Sequence, residues 1–325
     1  MKSGVSVPAV FGVSAGLVLC ADGMGAELQV PSKAYPTIQS AIDAAAEGDT
    51  VVIAAGVFAE KLLVENKSVS LVGAGKMATI LDAKGIGGDV PVLFYRNSAT
   101  QTPSTISGLT IQNGMAGGLI VDTAKNLTIR DCEIRSCSAT YGGGAICGAG
   151  SDALFERVTF RENHAVNGGA VNTNGFVGVF RSCVFENNVA SNEGGAFIDF
   201  LSSTTLVDCD FRNNQGGAGV VFSYIGSATS VGDSRFCGQA SAAMAACCGG
   251  NIVDLGGNFV QEECASECPG DLSADGVVNG ADASVLLKFW GTDGSGYPGV
   301  DLDGDGIVGA ADLTVLLNSW GACAE

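Results

Sequence analysis

A single histidine, His164, is all that the 325 residues contain. That scarcity removes zinc sites built on histidine and leaves imidazole acid–base chemistry to one side chain. Basic residues are also few: 16 Lys and Arg stand against 34 Asp and Glu, a net charge of -18, with no Lys/Arg cluster. Without a positive footprint to neutralise phosphates, nucleic acid and anionic membrane surfaces are excluded as partners, and calcium or neutral surfaces fit better. Only 7 prolines beside 46% hydrophobic residues exclude a disordered chain, and 48 glycines without a three-residue period exclude collagen. No segment after the first 26 residues could span a bilayer. What remains is a packed, glycine-punctuated fold.

The chain opens with Lys2 and a mostly apolar stretch from Val5 to Cys20, then small residues from Ala21 to Ala26. Residues 1–26 therefore read as a secretory signal peptide, with a buried strand or short anchor as the alternative, and the protein is expected to be secreted, extracellular or at the cell surface. Twelve cysteines suit that oxidising setting. Cys132, Cys183 and Cys209 recur at equivalent points of a repeat and read as small interior hydrophobes. Cys237, Cys247, Cys248, Cys264, Cys268 and Cys323 crowd towards the C-terminal end and read as bridges.

The repeat is the main structural feature. Ile134, Phe160, Phe185, Phe211 and Phe236 step by 26, 25, 26 and 25 residues, and Leu109 with Ile111 begins the series one shorter turn earlier. A period near 25 marks a solenoid. Cys132 with Ile134, Val158 with Phe160, Cys183 with Phe185 and Cys209 with Phe211 alternate at period two, which predicts strands with these side chains inward. Asn163, Asn188 and Asn214 follow the phenylalanines in fixed register, at turns where Asn tolerates the left-handed conformation, and their amides are expected to bond one another up the stack. A second column reads Gly143-Gly144-Ala145, Gly168-Gly169-Ala170 and Gly194-Gly195-Ala196, with Ile146, Val171 and Phe197 expected to begin the next inward strands. Upstream, Thr37 is placed to cap a helix of about residues 37–46 with Ile38, Ala41, Ile42 and Ala45 on one face, and Asp49 to Ile53 is expected to start the first strand.

These FxxN and GGA-[IVF] motifs resemble the repeats of polymorphic outer-membrane proteins and, more broadly, the pectate-lyase-like right-handed parallel β-helix. The resemblance covers residues 106–236 well. It implies an all-β solenoid over 27–262, a single-stranded right-handed parallel β-helix of roughly nine coils.

Residues 263–325 differ in character. From 269 onward there are nine acidic residues and one basic, so -8 of the total charge sits in the last 57 positions. Two twelve-residue loops lie thirty residues apart, DLSADGVVNGAD from Asp271 and DLDGDGIVGAAD from Asp301. Oxygen donors at alternate positions around a glycine suit a hard cation, so the loops are expected to bind two calcium ions. The ligands would be Asp271, Ser273, Asp275, the Val277 backbone, Asn279 and Asp282 in the first, and Asp301, Asp303, Asp305, the Ile307 backbone and Asp312 in the second. Each loop feeds one amphipathic helix, and Leu286, Leu287, Leu316, Leu317, Trp290 and Trp320 are expected to share a small core.

Asp at position twelve and a single trailing helix per loop are similar to dockerin type I repeats. The resemblance implies a small all-α, EF-hand-like calcium-binding domain that docks on cohesin-like modules through loop positions ten and eleven. Known dockerins carry hydroxyl residues there, whereas this chain has Gly280 and Ala281, Ala310 and Ala311, so docking onto a cohesin-like module or onto its own β-helix both remain open. Cys268 before the first loop and Cys323 after the second helix are placed to clasp the ends.

A catalytic centre is harder to find, for no nucleophile elbow, phosphate loop or zinc motif occurs. Asp208 and Asp210 share a strand face about 7 Å apart, room for the water of an inverting hydrolysis, and Asp131 with Glu133 forms a similar pair. Neighbouring arginines make a solvated charge ladder equally natural, and His164 reads as a solvent-facing corner. The sequence thus points to a surface protein binding carbohydrate or a protein partner. The alternative is a polysaccharide-degrading hydrolase or lyase.

Overall fold

The computed structural model describes residues 25–88, 91–97, 102–239, 242–261, 264, 270–273, 277–294, 297 and 299–322. Residues 1–24 of the expected signal peptide, Asp275, Cys268 and Cys323 lie outside these. Strands of two to six residues, each broken by a left-handed turn residue or glycine, bend the chain into a coil of parallel strands. Among the described residues, one sheet has ten strands from Glu27–Val30 to Asn251–Gly256, a second has nine from Gly56–Phe58 to Phe259–Gln261, and a third has eight from Leu62–Glu65 to Met244–Ala246. This is the expected all-β parallel solenoid. Its first strand comes earlier than expected: Glu27–Val30 already pairs with Thr50–Ile53. Only Leu28 and Val30 turn inward there, too short an alternation to stand out.

Helix α1 (Ile38–Ala44) closes the N-terminal end. Thr37 caps it, its hydroxyl accepting from the Ser40 amide, and Ile38, Ala41 and Ile42 are buried over the first coils. Along the axis the expected column forms in the second sheet, with Ile111, Ile134, Phe160, Phe185, Phe211 and Phe236 paired rung to rung. The Phe160–Phe185, Phe185–Phe211 and Phe211–Phe236 rings stack with centroids 5.1, 4.6 and 4.5 Å apart. Cys132, Cys183 and Cys209 are buried free thiols beside it. Burial pushes the Cys132 thiol up to about 12, which makes it a packing group and not a nucleophile.

The asparagine ladder is present, with one change. Asn188 Nδ2 donates to Asn214 Oδ1 and Asn163 Nδ2 to Asn188 Oδ1, both at 3.0 Å, inside the core. The left-handed conformation falls on the preceding residues, Glu162, Asn187 and Asn213, at φ between 51° and 55°. That frees Asn163, Asn188 and Asn214 to point inward. The glycine column is also shifted in one coil: Ala145, not Ile146, pairs with Val171, which pairs with Phe197. The true corner is Gly142, Gly168 and Gly194, at φ 60°, 67° and 66°. Three consecutive glycines hid the register, and a slip of one residue turns Ile146 half outward while Ala145 and Cys147 face in.

The C-terminal segment carries α2 (Gly280–Lys288), α3 (Ala310–Asn318) and a short antiparallel pair, Val277–Val278 with Gly321–Ala322. Its core is Leu272, Val278, Leu286, Val300, Val308 and Leu316. Leu286 and Leu316 are buried as expected, but Leu287, Leu317, Trp290 and Trp320 are 57%, 54%, 44% and 52% exposed. A nine-residue helix turning 100° per residue can bury only one narrow stripe, and loop valines fill the rest. No helix among the described residues is long and apolar enough to cross a membrane.

Candidate functional site

The corner between the first and second sheets is built from one residue per coil in the left-handed region: Asp131, Arg157, Ser182, Asp208 and Asp233, with φ from 47° to 53°. They recur at the spacing of the phenylalanine column, a signal present in the sequence that pattern reading of the strands alone passes over. A left-handed corner swings each side chain out of the sheet, so charged groups from successive coils meet. Arg157 Nε and Nη2 donate to the two Asp131 oxygens at 2.7 and 3.1 Å, and Arg130 Nη1 donates to Asp131 Oδ2 at 2.8 Å.

Asp210 begins the next strand and is almost fully buried. Arg235 donates to both its oxygens, at 3.2 and 2.6 Å, and Arg212 Nε donates at 2.6 Å. Burial alone would push its carboxyl up, but the two guanidinium groups outweigh that and hold it below the usual carboxylate range. Asp208 goes the other way: burial and the neighbouring Asp233 carboxylate raise it, against a weaker pull from Arg181. Glu133 is buried between Arg161 at 2.6 Å and Arg135 at 3.5 Å and serves a charge ladder on the strand face.

Asp131, Asp208 and Asp210, with Arg130, Arg157 and Arg212, line one cavity of about 570 Å³, whose opposite wall is the second acidic loop through Asp301, Gly304, Asp305 and Gly306. Three of the four candidate carboxylates thus converge with basic partners; Glu133 does not join them. Lys76 also lines the cavity, unforeseen because it sits on an early, irregular coil. A Cβ on Gly304 would meet Lys76 Nζ at 3.8 Å.

In the second loop, ligand oxygens of Asp301, Asp303 and Asp305 all lie within 4.8 Å of one another. The loop is wound tight by its own backbone: the Gly304 and Gly306 amides donate to Asp301 at 2.8 and 2.9 Å, the Asp305 amide to Asp303 at 3.0 Å and the Ile307 amide to Asp305 at 2.8 Å. Burial raises the Asp301 carboxyl, and the Asp312 and Asp303 carboxylates add to it. Such crowding of hard oxygen donors fits a divalent cation, which would relieve the repulsion. Asp312 is buried and accepts the Leu302, Asp303 and Gly309 amides at 2.6, 3.1 and 2.6 Å, while Ile307 is exposed on the loop.

The first loop repeats the pattern where it is described. Asp282 accepts the Ser273 and Asn279 amides, each at 2.7 Å, and Asn279 caps α2 through the Ala281 amide. Asp271 and Val277 flank it, and Asp275 lies outside the described residues. Gly280, Ala281, Ala310 and Ala311, at positions ten and eleven, are exposed. His164 is solvent-facing as expected but begins a strand, His164–Asn167, instead of sitting at a corner, pairing with Ser138 and Val189, and its Nδ1 lies 3.1 Å from the Glu162 carbonyl oxygen. Of the C-terminal cysteines, Cys237 is bonded to Cys264, whereas Cys247 and Cys248 are free thiols.

Residues 91–260, just over half of the chain, match the family described as "Right handed beta helix region". Among solved structures the chain is similar to a pectin methylesterase from carrot, at 14% identity over 77% of this chain and 91% of that one, TM-score 0.48. It is similar also to the pectin methylesterase of Aspergillus niger, at 13% over 74% and 85%, TM-score 0.47. A third is the catalytic domain of a GH87 alpha-1,3-glucanase in complex with nigerose, at 12% over 73% and 48%, TM-score 0.44. At these identities nothing about substrate or reaction follows. No curated protein matches the chain.

Proposed function

We propose that this chain, which belongs to the right-handed β-helix family and whose interior is packed with buried side chains, binds carbohydrate on its outer face, in the cavity between the corner column and the second acidic loop. The observation that carries this is the convergence of Asp131, Asp208 and Asp210 with Arg130, Arg157 and Arg212 on about 570 Å³. Sugar hydroxyls both donate and accept, so alternating carboxylates and planar guanidinium forks suit them, and the volume falls in the range of small-ligand sites. The protein would act outside the cell or at its surface, and its C-terminal segment would be a dockerin type I-like module holding two calcium ions. Calcium at Asp301, Asp303 and Asp305 would offset two of the three negative charges beside the cavity, so binding is expected to need calcium. Seating this loop on the chain's own β-helix is the reading favoured for the module; a cohesin-like module is the other partner to test.

Calorimetry of the full chain against pectin, alginate and β-glucan oligosaccharides, with and without calcium, tests the reading. Binding lost in Arg157→Ala and on chelation supports it; no binding to any of them in calcium removes it. A second reading, glycoside hydrolysis, is favoured by one observation: Asp208 is pushed up and Asp210 held down, as an acid and a base would be. Both Asp210 oxygens are already taken by arginines, which favours binding. Turnover abolished by Asp208→Ala would reverse that preference.

A further inference from the structure

Cys247 and Cys248 are adjacent in sequence, and their sulfurs lie 2.8 Å apart at the surface of the last coil. They occupy the turn that joins the last strand of the third sheet, Met244–Ala246, to the last strand of the first, Asn251–Gly256. The Gly250 amide closes the turn on the Cys247 carbonyl at 2.8 Å, and Cys248 holds φ 56° with Gly249 at 92°. A non-glycine residue in the left-handed region is a cost that a fold keeps where something else requires it. The corner from the third sheet to the first is left-handed in earlier coils too, at Thr123 and Leu201, and here the same conformation also brings one thiol onto the other. The Tyr224 side chain lies beside Cys248, and its ring packs on that of Phe200 with centroids 4.8 Å apart.

This end of the solenoid needs support. The first coil is closed by α1, yet at the last coil Leu255, Phe259 and Val260 are 56%, 56% and 57% exposed. The Cys237–Cys264 bond already ties that coil.

We propose that Cys247 and Cys248 form a vicinal disulfide, made by exchange with a low-molecular-weight disulfide, that stiffens the turn between Met244–Ala246 and Asn251–Gly256 in the last coil. The more exposed Cys248 thiolate attacks one sulfur of the oxidant R–S–S–R, forming a mixed disulfide and releasing one thiolate. The Cys247 thiolate then attacks Cys248 Sγ, forms the Cys247–Cys248 bond and releases the second. Two protons leave the cysteines and reside on the two R–SH products, and the oxidant takes up the two electrons. Closing the bond asks the sulfurs to approach from 2.8 Å to about 2.05 Å. Adjacent Cα atoms are only about 3.8 Å apart, below the usual disulfide range, so the ring belongs to the reversible class of bonds rather than to the permanent one.

The test uses the full chain, reduced and then equilibrated with mixtures of reduced and oxidised glutathione, quenched in acid, alkylated with N-ethylmaleimide and mapped as peptic peptides. The expected result is one peptide that holds both Cys247 and Cys248, lacks both alkyl groups and is lighter by two hydrogens. In Cys248→Ser, Cys247 is expected to carry either an alkyl group or glutathione. Amide hydrogen exchange over Asn251–Gly256 should slow on oxidation in the natural chain more than in Cys248→Ser, where the Cys247–Cys248 bond cannot form. Full alkylation of both cysteines in mixtures that close Cys237–Cys264 would overturn the proposal, as would bonds from either cysteine to any other. A closed ring without the difference in exchange would overturn the stiffening of that turn.

Discussion

Asn188 Nδ2 donates to Asn214 Oδ1 at 3.0 Å, one coil further along, while also donating to the Phe160 carbonyl at 2.9 Å. Its own Oδ1 accepts both the backbone and side-chain amides of Asn163, at 3.0 Å each. Asn188→Ala would therefore strand the Phe160 carbonyl and the Asn163 amide in a dry core, at about 1–3 kcal/mol per group. Urea unfolding should show a loss of roughly 2–5 kcal/mol. A loss under about 1 kcal/mol would mean that water replaces the side chain.

Phe185 sits between Phe160 and Phe211 in the stacked column. Phe185→Ala removes contacts to both neighbours and is expected to cost about 3–5 kcal/mol, while Phe185→Leu should cost clearly less. Equal losses would show that ring stacking, not volume, holds the column.

Two buried carboxyls should oppose each other in pH dependence. Asp199 lies fully inside the coil, accepting the Thr204 hydroxyl at 2.9 Å and further hydroxyls of Thr173 and Thr229, and burial pushes its carboxyl up. A raised carboxyl contributes stability that is complete below its unfolded value of about 3.9 and is lost as pH rises through the folded value. Asp199→Asn should therefore match the natural chain near pH 4 and gain on it as pH rises towards neutrality. Asp210, held down by Arg235 and Arg212 against its burial, has the reverse sign: its contribution is present above the unfolded value and is lost as pH falls through the folded one. Asp210→Asn should flatten the acid limb. Thermal midpoints across pH 3–8 for the two variants would read both signs.

The only two tryptophans, Trp290 and Trp320, sit half-exposed at the ends of α2 and α3, so intrinsic tryptophan fluorescence reports on the C-terminal segment alone. Calcium should shift that emission and chelation should reverse it. Asp303→Asn is expected to weaken the response of one site by at least about tenfold. An emission indifferent to calcium would remove the proposed ions.

The periodic parts of the molecule were legible and the single contacts were not. Phe160, Phe185 and Phe211 could be placed because stacking in register repeats an inward residue every coil, and Thr37 because a cap needs only its own helix. The inward place falls to Ala145 and not to Ile146, which the sequence does not reveal because three glycines offer no side chain to mark the corner. Leu287, Trp290, Leu317 and Trp320 read as core by composition, yet which stripe of α2 and α3 faces inward depends on Val278, Val300 and Val308 arriving from the loops.

From its residues alone the chain dictates a stack of coils with a phenylalanine file and an asparagine file inside, since a period of about 25 leaves those side chains nowhere else to go. Folding in three dimensions decided which charges meet. Asp210 becomes the partner of Arg235, Asp131 of Arg157, and the Asp301 loop the far wall of their cavity, because contacts between coils and across the chain's ends depend on register and docking that no local pattern encodes.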